Sequence, residues 1–472
     1  MRKQKLKWLV PCVAALFTIG ASMTSFAAQG WSQENGSWVY YDSSGDITTE
    51  AWRKSGDHWF YLDSDGQMAT SSLVETDGNY YYVNSVGAMV ANEWREIPSD
   101  HEEDDEPDTY WYYLGSNGKA YKAPTSGRTS FKSIKIANGE LHNYAFDTEG
   151  RLLTGWVDEE STRITGEDAW KEGIYYCGNS NDGARADLGW RYIEVEDEDN
   201  TKDNFDGAYW FYFGSKGKKL KDTTKTINGL KYRFNENGAA ESEWYELASP
   251  ATASSPNQYY NLPEQCWLAK GWFKTVPSED IDQEAYEEDK EYWFYATNSG
   301  QLTTSQIKSI NGLRYAFNEK GEMLHGLYKL TFDSGKKLDS YEEIETEDDF
   351  PAADDTSQVY YFGNSPKEGA MITGKTTIEI DGEKYTYNFR KSGSSRGAGY
   401  NGIHDDSIYV QGRMLKADKD EKYKVVEYDG KEYLVGTSGK LAKSKTNIKD
   451  GDDKYYKTNS DGTIKESGYE KL

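Results

Sequence analysis

Short aromatic–glycine units repeat along this chain, and this repetition restricts its possible folds more than any other feature. Trp31 and Trp38 lie seven residues apart, and Trp52 and Trp59 repeat that spacing 21 residues later. The aromatic run that starts each second half alternates sides as a β-strand does, and the Asp-Gly pair at 65–66 is a strong turn signal. Each unit is therefore predicted to be a β-hairpin.

The composition indicates how such hairpins stabilise one another. Only 36% of the 472 residues are hydrophobic, whereas the chain contains 38 Tyr, 15 Trp, 16 Phe and 45 Gly. Aromatic rings must then supply most of the buried area. A lone hairpin is marginal in water, so successive hairpins are expected to stack. The predicted fold is all-β, an elongated β-solenoid of stacked hairpins with long acidic loop insertions.

Later units keep the pattern but carry acidic insertions at residues 100–108, 194–206 and 279–291. We interpret these insertions as solvated loops, with calcium binding as the alternative. They separate the paired tryptophans, and the sequence leaves open whether each pair still meets. The pairs are Trp94 with Trp111, Trp190 with Trp210, and Trp272 with Trp293.

An internal duplication lies among these later units. Residues 225–238 match residues 308–321 at 10 of 14 positions, with an offset of 83 residues. We divide the chain into compact repeats at 28–92, insertion-bearing repeats at 93–395, and degenerate C-terminal repeats at 396–472.

Residues 1–27 are predicted to be a signal peptide. Basic residues precede a mostly apolar stretch at 8–23, and small residues at Ser25 and Ala27 suit cleavage after Ala27. A membrane anchor is the alternative, but the apolar stretch is short for a span. No second apolar run of that length follows. The mature chain is expected to be secreted, associated with the cell wall and without a membrane span.

The net charge argues against a nucleic-acid-binding protein, and the cysteine content argues against a disulfide-stabilised one. A formal net charge of −26 repels phosphate, so no nucleic-acid partner is expected. The mature chain has Cys177 and Cys266, 89 residues apart, and we expect two buried thiols rather than a bridge.

No catalytic motif stands out. The five histidines are scattered without metal-ligand spacing, and no Gly-x-Ser-x-Gly motif occurs. The repeats also leave no stretch of ordinary globular composition for a catalytic domain. We therefore predict a protein without enzymatic activity, cofactor or metal site.

These units resemble the choline-binding or cell-wall-binding repeats of Gram-positive surface proteins. Similar hairpins occur in the glucan-binding regions of streptococcal glucosyltransferases and in clostridial toxin repeats. The resemblance extends over residues 30–465. It rests on Gly30-Trp31, Trp38-Val39-Tyr40-Tyr41, Trp59-Phe60-Tyr61-Leu62, Gly66-Gln67-Met68, Thr154-Gly155-Trp156 and Gly271-Trp272.

The resemblance implies aromatic cages between consecutive hairpins that hold a quaternary ammonium by cation–π attraction. Transferred by position, Trp38, Tyr40 and Trp52 form the first candidate cage, and Trp31, Trp59 and Tyr61 follow. The same rings could serve only as packing between hairpins, and they could equally stack on sugars.

The partners expected from the resemblance are choline-substituted teichoic acid or wall polysaccharide. A toxin-like or adhesin array for a host glycan or protein is the alternative function. The targeting arm of a wall hydrolase is a further alternative.

Overall fold

The computed structural model describes residues 29–99, 107–179, 182–198, 200, 205–245, 257–351 and 356–472. In these ranges nearly all of the regular secondary structure is β-strand, which confirms the predicted all-β class. The helical pieces there are α1 (Ala169–Glu172), α2 (Gln283–Glu287) and a 3-10 turn at Glu347–Asp349. No helix in the described ranges is long and apolar enough to cross a membrane. The predicted signal peptide lies outside the described residues.

The chain divides into two compact units, of which the first comprises Met1–Asp199 and Trp210–Leu220. Strand β15 contributes its residues from Trp210 onward to this unit. The strands are β1 (Gly30–Glu34), β2 (Ser37–Tyr41), β3 (Ala51–Ser55), β4 (His58–Leu62), β5 (Ser72–Thr76), β6 (Asn79–Val83), β7 (Glu93–Pro98), β8 (Thr109–Leu114), β9 (Phe131–Lys135), β10 (Leu141–Ala145), β11 (Gly155–Val157), β12 (Arg163–Ile164), β13 (Tyr175–Cys177), β14 (Gly189–Glu194) and β15 (Ala208–Phe213).

Antiparallel hairpins make up most of this unit. β1–β2, β3–β4, β5–β6, β7–β8, β9–β10 and β14–β15 are two-stranded sheets, and β11 lies between β12 and β13. The hairpin predicted for each of the first units is therefore present.

A repeated backbone hydrogen bond joins successive hairpins of the first unit. The amide two residues after a turn glycine donates to a carbonyl near the start of the second strand of the preceding hairpin. The bonds are Met68 N to Trp38 O (2.7 Å), Met89 N to Trp59 O (2.8 Å), Ala120 N to Tyr80 O (2.8 Å) and Leu152 N to Trp111 O (2.8 Å).

The turn glycines are needed at this junction. Gly87 has φ of +79°, and a Cβ there would lie 2.8 Å from the sulfur of Met68 in the preceding hairpin. Glycine thus serves both the left-handed turn and the close approach of one hairpin to the next.

The second unit comprises Asn200–Tyr209 and Lys221–Leu472. Its strands are β16 (Thr223–Ile227), β17 (Leu230–Phe234), β18 (Trp244–Tyr245), β19 (Gln258–Tyr259), β20 (Gly271–Thr275), β21 (Tyr292–Ala296), β22 (Gln306–Ile310), β23 (Leu313–Phe317), β24 (Gly326–Phe332), β25 (Leu338–Glu343), β26 (Gln358–Gly363), β27 (Ala370–Met371), β28 (Gly374–Ile380), β29 (Glu383–Phe389), β30 (Gly402–His404), β31 (Ser407–Val410), β32 (Arg413–Met414), β33 (Tyr423–Tyr428), β34 (Lys431–Gly436), β35 (Ile448–Lys449), β36 (Tyr455–Thr458) and β37 (Ile464–Gly468).

This unit begins with hairpins and then forms wider sheets. Two of the described sheets have four and five strands, in the orders β25-β24-β26-β27 and β28-β29-β32-β31-β30. Leu330 and Phe362 are fully buried in the core of the four-stranded sheet. The unit closes on the hairpin β33–β34 and on a three-stranded sheet of β35, β36 and β37.

Cys177 and Cys266 are both free and buried, as predicted. Burial raises the pKa of the Cys177 thiol to about 12, because the charged thiolate is disfavoured away from water. The thiol of Cys266 lies 2.9 Å from the carbonyl of Pro263. Both side chains therefore serve as small core residues.

The third acidic insertion is folded rather than an extended loop. It contains α2, whose first turn is capped by Asp282 accepting a hydrogen bond from the amide of Ala285 (3.2 Å). Asp282 also forms an ion pair with Lys320. The interpretation as a loop is therefore wrong for this insertion, because a capped helix and an ion pair fix it to the unit, whereas most of its residues are solvent-exposed as expected.

Candidate functional site

The strand register of the first hairpin places three of the predicted rings together. Trp31 pairs with Tyr40, and Gln33 pairs with Trp38. Directly opposed residues of an antiparallel pair share a face, as do residues two apart along a strand. Trp31, Trp38 and Tyr40 therefore lie on one face of this hairpin.

The second hairpin repeats the arrangement with the other three predicted residues. Trp52 pairs with Tyr61, and Lys54 pairs with Trp59. Trp52, Trp59 and Tyr61 therefore share the corresponding face.

Two of the tryptophans pack between hairpins. Trp31 makes edge contacts with Tyr40 in its own hairpin and with Phe60 in the next, at centroid distances of 5.4 and 5.5 Å. Trp52 contacts Tyr61 at 5.2 Å and Tyr81 of the third hairpin at 5.1 Å. These distances are typical of stabilising aromatic pairs, so both indoles belong to the packing between hairpins.

The other two tryptophans, Trp38 and Trp59, are more accessible to a ligand. In the described residues neither Trp38 nor Trp59 makes a ring contact with another aromatic side chain. Trp38 is half-buried, whereas 42% of Trp59 is exposed. An exposed indole beside a half-buried tyrosine can accept a ligand without rearrangement of the hairpin.

The structure does not bring Trp52 to Trp38 and Tyr40. Successive residues of β3 point to opposite faces, so Trp52 is directed toward the third hairpin and Arg53 toward the first. The guanidinium carbon of Arg53 lies 5.2 Å from the centre of the Tyr40 ring. Arg53 also donates to the Trp52 carbonyl (2.9 Å). A cation from the chain itself thus covers the ring of the first candidate cage.

An arginine also covers the strand tyrosine of the preceding hairpin elsewhere in the first unit. This interaction is not among those predicted from the sequence. Arg53 stands opposite Phe60, and Arg95 stands opposite Tyr112 in the fourth hairpin. The Arg95 guanidinium lies 5.6 Å from the centre of Tyr82, the ring equivalent to Tyr40. The signal that could have found this pattern is the recurring Trp-Arg pair at 52–53 and 94–95.

In the second unit the strand tyrosine is covered in two ways, by an aromatic ring and by a lysine. Phe273 stacks on Tyr259 at 4.8 Å with an interplanar angle of 3°. The ammonium of Lys308 lies 5.7 Å from the centre of the Tyr295 ring. A cation or a ring thus covers the strand tyrosine in these hairpins as well.

The second hairpin is different because the covering position of its neighbour carries Val74. Val74 stands opposite Tyr81, as Arg53 stands opposite Phe60. Burial raises the pKa of Tyr61, and the charge of Glu50 and that of Asp63 raise it further. The surroundings of this ring are therefore negative and favour a cation.

Two of the three tryptophan pairs that the acidic insertions separate in sequence are in contact in the structure. Trp190 meets Trp210, and Trp272 meets Trp293, each pair edge-to-face at 6.2 Å. Trp94 and Trp111 lie on paired strands, where they stand opposite Tyr113 and Glu96 respectively. The insertions therefore leave the hairpin register intact.

Two curated relatives are similar over long stretches. Glucosyltransferase-I of Streptococcus downei is 24% identical over 385 residues, which are 75% of this chain and 22% of the relative. Glucosyltransferase-S of Streptococcus mutans is 27% identical over 235 residues, 48% of this chain and 14% of the relative. The chain thus spans less than a quarter of the length of either protein.

Among solved structures, choline binding protein F of Streptococcus pneumoniae is 18% identical, with a TM-score of 0.43. That match covers 75% of this chain and all of the other. The modular autolysin LytC of the same organism is 19% identical, covers 65% of this chain and 55% of its own, and has a TM-score of 0.33.

The family model of the choline-binding repeat matches residues 48–94. The match includes the second and third hairpins and therefore Trp52, Trp59, Tyr61 and Val74. The resemblance of this chain to choline-binding repeat proteins is therefore confirmed, and residues 48–94 carry the match to the repeat itself.

Proposed function

We propose that this protein is a secreted, non-catalytic surface protein that binds the choline groups of cell-wall teichoic acid through its aromatic hairpins. The hairpins would continue as a solenoid that presents these rings along the wall. The observation that carries the proposal is the pair Trp59–Tyr61 inside the matched repeat, where the indole is 42% exposed and the covering position carries Val74 instead of a cation.

Cation recognition is already built into this type of hairpin. Arg53 over Tyr40 and Arg95 over Tyr82 are cation–π contacts between consecutive hairpins, at 5.2 and 5.6 Å. A quaternary ammonium cannot donate hydrogen bonds, and aromatic faces are the groups that hold it best. Where the chain supplies no cation, an external one can take the same place.

The Trp59–Tyr61 pair meets that condition. Val74 stands at the covering position, and 42% of Trp59 is exposed. The carboxylates of Glu50, Asp63 and Asp77 act on Tyr61 and add attraction for a positive ligand. We therefore assign Trp59 and Tyr61 as the principal ligand contacts.

The remaining predicted residues take supporting roles in this proposal. Trp31 and Trp52 hold consecutive hairpins together, which fixes the spacing of the cages. Trp38 and Tyr40 belong to the first cage, which is closed while Arg53 covers it.

A polysaccharide is the second candidate ligand. It is favoured by the similarity to two glucosyltransferases, one of which extends over 75% of this chain. Exposed indoles can stack on sugar rings as well as on ammonium groups. No observation in the described residues favours a host glycan or a host protein.

The test uses the mature chain on a resin that carries choline or a tertiary amine. We expect retention on the resin and release by free choline, together with binding to purified choline-bearing cell walls. Incubation with those walls should release no soluble fragments, because no catalytic activity is proposed. A chain that passes through the resin and ignores the walls contradicts the proposal.

A matched pair of variants locates the site. Trp59→Ala should lose retention, whereas Tyr286→Ala, which removes an aromatic side chain that is 49% exposed in the second unit, should not. Equal loss in both variants would mean that retention depends on exposed aromatic surface in general.

A further inference from the structure

Two carboxyl groups of the second unit, both largely withdrawn from solvent, are hydrogen-bonded to each other. They belong to Asp282, which caps α2 in the third acidic insertion, and to Glu322, which lies in the turn after β23. Glu322 is 4% exposed, and the side chain of Asp282 is 11% exposed. The contact joins the insertion to the hairpin β22–β23.

A hydrogen bond between these two groups requires a proton, because an ionised carboxylate only accepts. Asp282 is the ionised partner, since its oxygens accept from the amide of Ala285 (3.2 Å) and from the ammonium of Lys320. Oε2 of Glu322 accepts from the side-chain amide of Asn318 (2.6 Å), and no other donor among the described residues reaches its Oε1. Oε1 of Glu322 is therefore the oxygen that carries the proton and donates to Asp282.

The pKa values of the two groups agree with this assignment. Burial raises the pKa of Glu322 to about 7, and the charge of Asp282 contributes to the rise. Burial also acts to raise the pKa of Asp282, but the hydrogen bonds from Lys320 and from the amide of Ala285 outweigh it and hold that pKa below its usual range. Glu322 therefore keeps its proton at mildly acidic pH and loses it as the pH passes through neutrality.

The ammonium groups of the cleft beside Glu322 are already engaged: Lys320 with Asp282, Lys274 with Glu291, and Lys290 with Tyr292. The other titratable side chains that line this cleft are Glu284, His325, Tyr328, Tyr341, Glu343 and Glu368. Loss of the proton would leave two carboxylates facing each other beside the single ammonium of Lys320. Such an arrangement is unfavourable away from water.

The internal duplication shows that the turn itself does not require this carboxyl pair. The position equivalent to Glu322 is Ala239, which is also buried. Asn318 closes its turn by accepting from the amides of Lys320 and Glu322 (3.1 and 2.9 Å). Asn235 closes the other turn by the same two bonds, each 3.0 Å long. Glu322 is therefore an addition to the turn that serves the contact with α2.

The helix on the other side of this contact depends on it. α2 is five residues long, and only Ala285 among its side chains is buried. A helix of this length is not stable by itself, and elements with few buried contacts open most easily. The cap residue Asp282 and its bonds to Lys320 and Glu322 are thus the main polar link between the insertion and the hairpin.

We propose that the Asp282–Glu322 pair is a pH-sensitive switch: with the shared proton in place it holds α2 on the hairpin β22–β23, and loss of the proton above neutral pH releases the helix. The stabilisation is complete below the ordinary pKa of a glutamate, 4.5, and is lost as the pH rises through about 7. Asp282 acts in the opposite direction and in a separate range, since its lowered pKa costs stability only at more acidic pH.

Hydrogen–deuterium exchange of the mature chain, measured on peptides from residues 279–291 at about pH 5.5 and about pH 8, tests the proposal. After correction for the intrinsic exchange rate, protection of α2 should fall by ~10-fold or more between the two pH values. Glu322→Gln should change by less than ~2-fold, because a glutamine amide can donate to Asp282 as protonated Glu322 does.

Glu284→Gln is the matched control, because it removes an exposed carboxylate from α2 and leaves the pair intact. It should keep the pH dependence of the parent. His325, which lies in the same cleft and is bonded to Asn364 (2.9 Å), is retained in all three proteins. A difference between them therefore reports on position 322.

Folding is checked on the same samples. Protection of residues 306–317, which include β22 and β23, should not depend on pH in any of the proteins. If Glu322→Gln fails to fold, Glu322→Ala takes its place, because alanine occupies the equivalent position 239; its α2 should then show the same low protection at both pH values. Constant protection of α2 in the parent, or an equal fall with pH in the parent and in the position-322 variant, overturns the inference.

Discussion

In the first hairpin the ring of Tyr40 is covered by the guanidinium of Arg53, whereas at the second hairpin the equivalent covering position carries Val74. The rings themselves are equivalent in type, face and register. The difference arises from one residue in the following hairpin. The number of rings that can bind a ligand therefore depends on the covering residue in the first strand of the following hairpin, Arg53 or Val74, as much as on the aromatic motif itself.

The largest expected effect separates packing rings from ligand rings. Trp52→Ala should lower the free energy of unfolding of the first unit by about 3 kcal/mol, because it removes an indole packed against Tyr61 and Tyr81. Trp59→Ala should change it by no more than about 0.5 kcal/mol, since that indole is exposed and has no ring partner among the described residues. Urea unfolding followed by fluorescence measures both. Equal losses in the two variants would contradict the division.

Choline binding at the second hairpin should depend on Trp59, although its removal hardly changes stability. Trp59→Ala is expected to weaken choline binding by ~30-fold, which corresponds to a cation–π contact of about 2 kcal/mol in a partly desolvated site. Equilibrium dialysis with labelled choline measures the affinity, and Tyr286→Ala again serves as the control. An unchanged affinity would place the choline site in another hairpin.

Hairpins and turns could be predicted because their causes are local. At the predicted Asp63–Gly66 turn, Asp63 accepts from the amides of Asp65 and Gln67 (3.0 and 2.8 Å). This turn is local, because the Asp63 side chain closes it within its own segment and Gly66 takes the positive φ of +76° that the turn requires.

The cage was harder to predict because it depends on contacts between hairpins. Trp52 and Trp38 look adjacent in the repeat pattern, but the alternation of β3 directs Arg53 rather than Trp52 to the first hairpin. The wider sheets of the second unit were also missed. Strand β24 begins Gly326-Leu327-Tyr328 and lacks the aromatic run of the hairpins, so only its tertiary partners β25 and β26 identify it as a central strand.

Closing the second cage should remove most of the binding. Val74→Arg is expected to place a guanidinium over Tyr61, as Arg53 does over Tyr40, and to weaken choline binding by ~10-fold through competition. The same dialysis assay measures it. Val74→Leu controls for the change in side-chain size, and unfolding of both variants checks that the hairpin interface persists. Full binding by the arginine variant would show that the covering residue does not control access.

The smallest change is expected on opening the first cage. Arg53→Val should uncover Trp38 and Tyr40 and add one choline site of similar affinity, so that the number of choline molecules bound rises by one. The hydrogen bond from Arg53 to the Trp52 carbonyl is lost, but this group is only half-buried and the cost to stability is about 1 kcal/mol. Arg53→Lys is the matched control, because an ammonium at this position still covers the ring. A stoichiometry that does not rise in Arg53→Val, with the hairpin folded, would mean that Trp38 and Tyr40 lack a further wall that the second cage possesses.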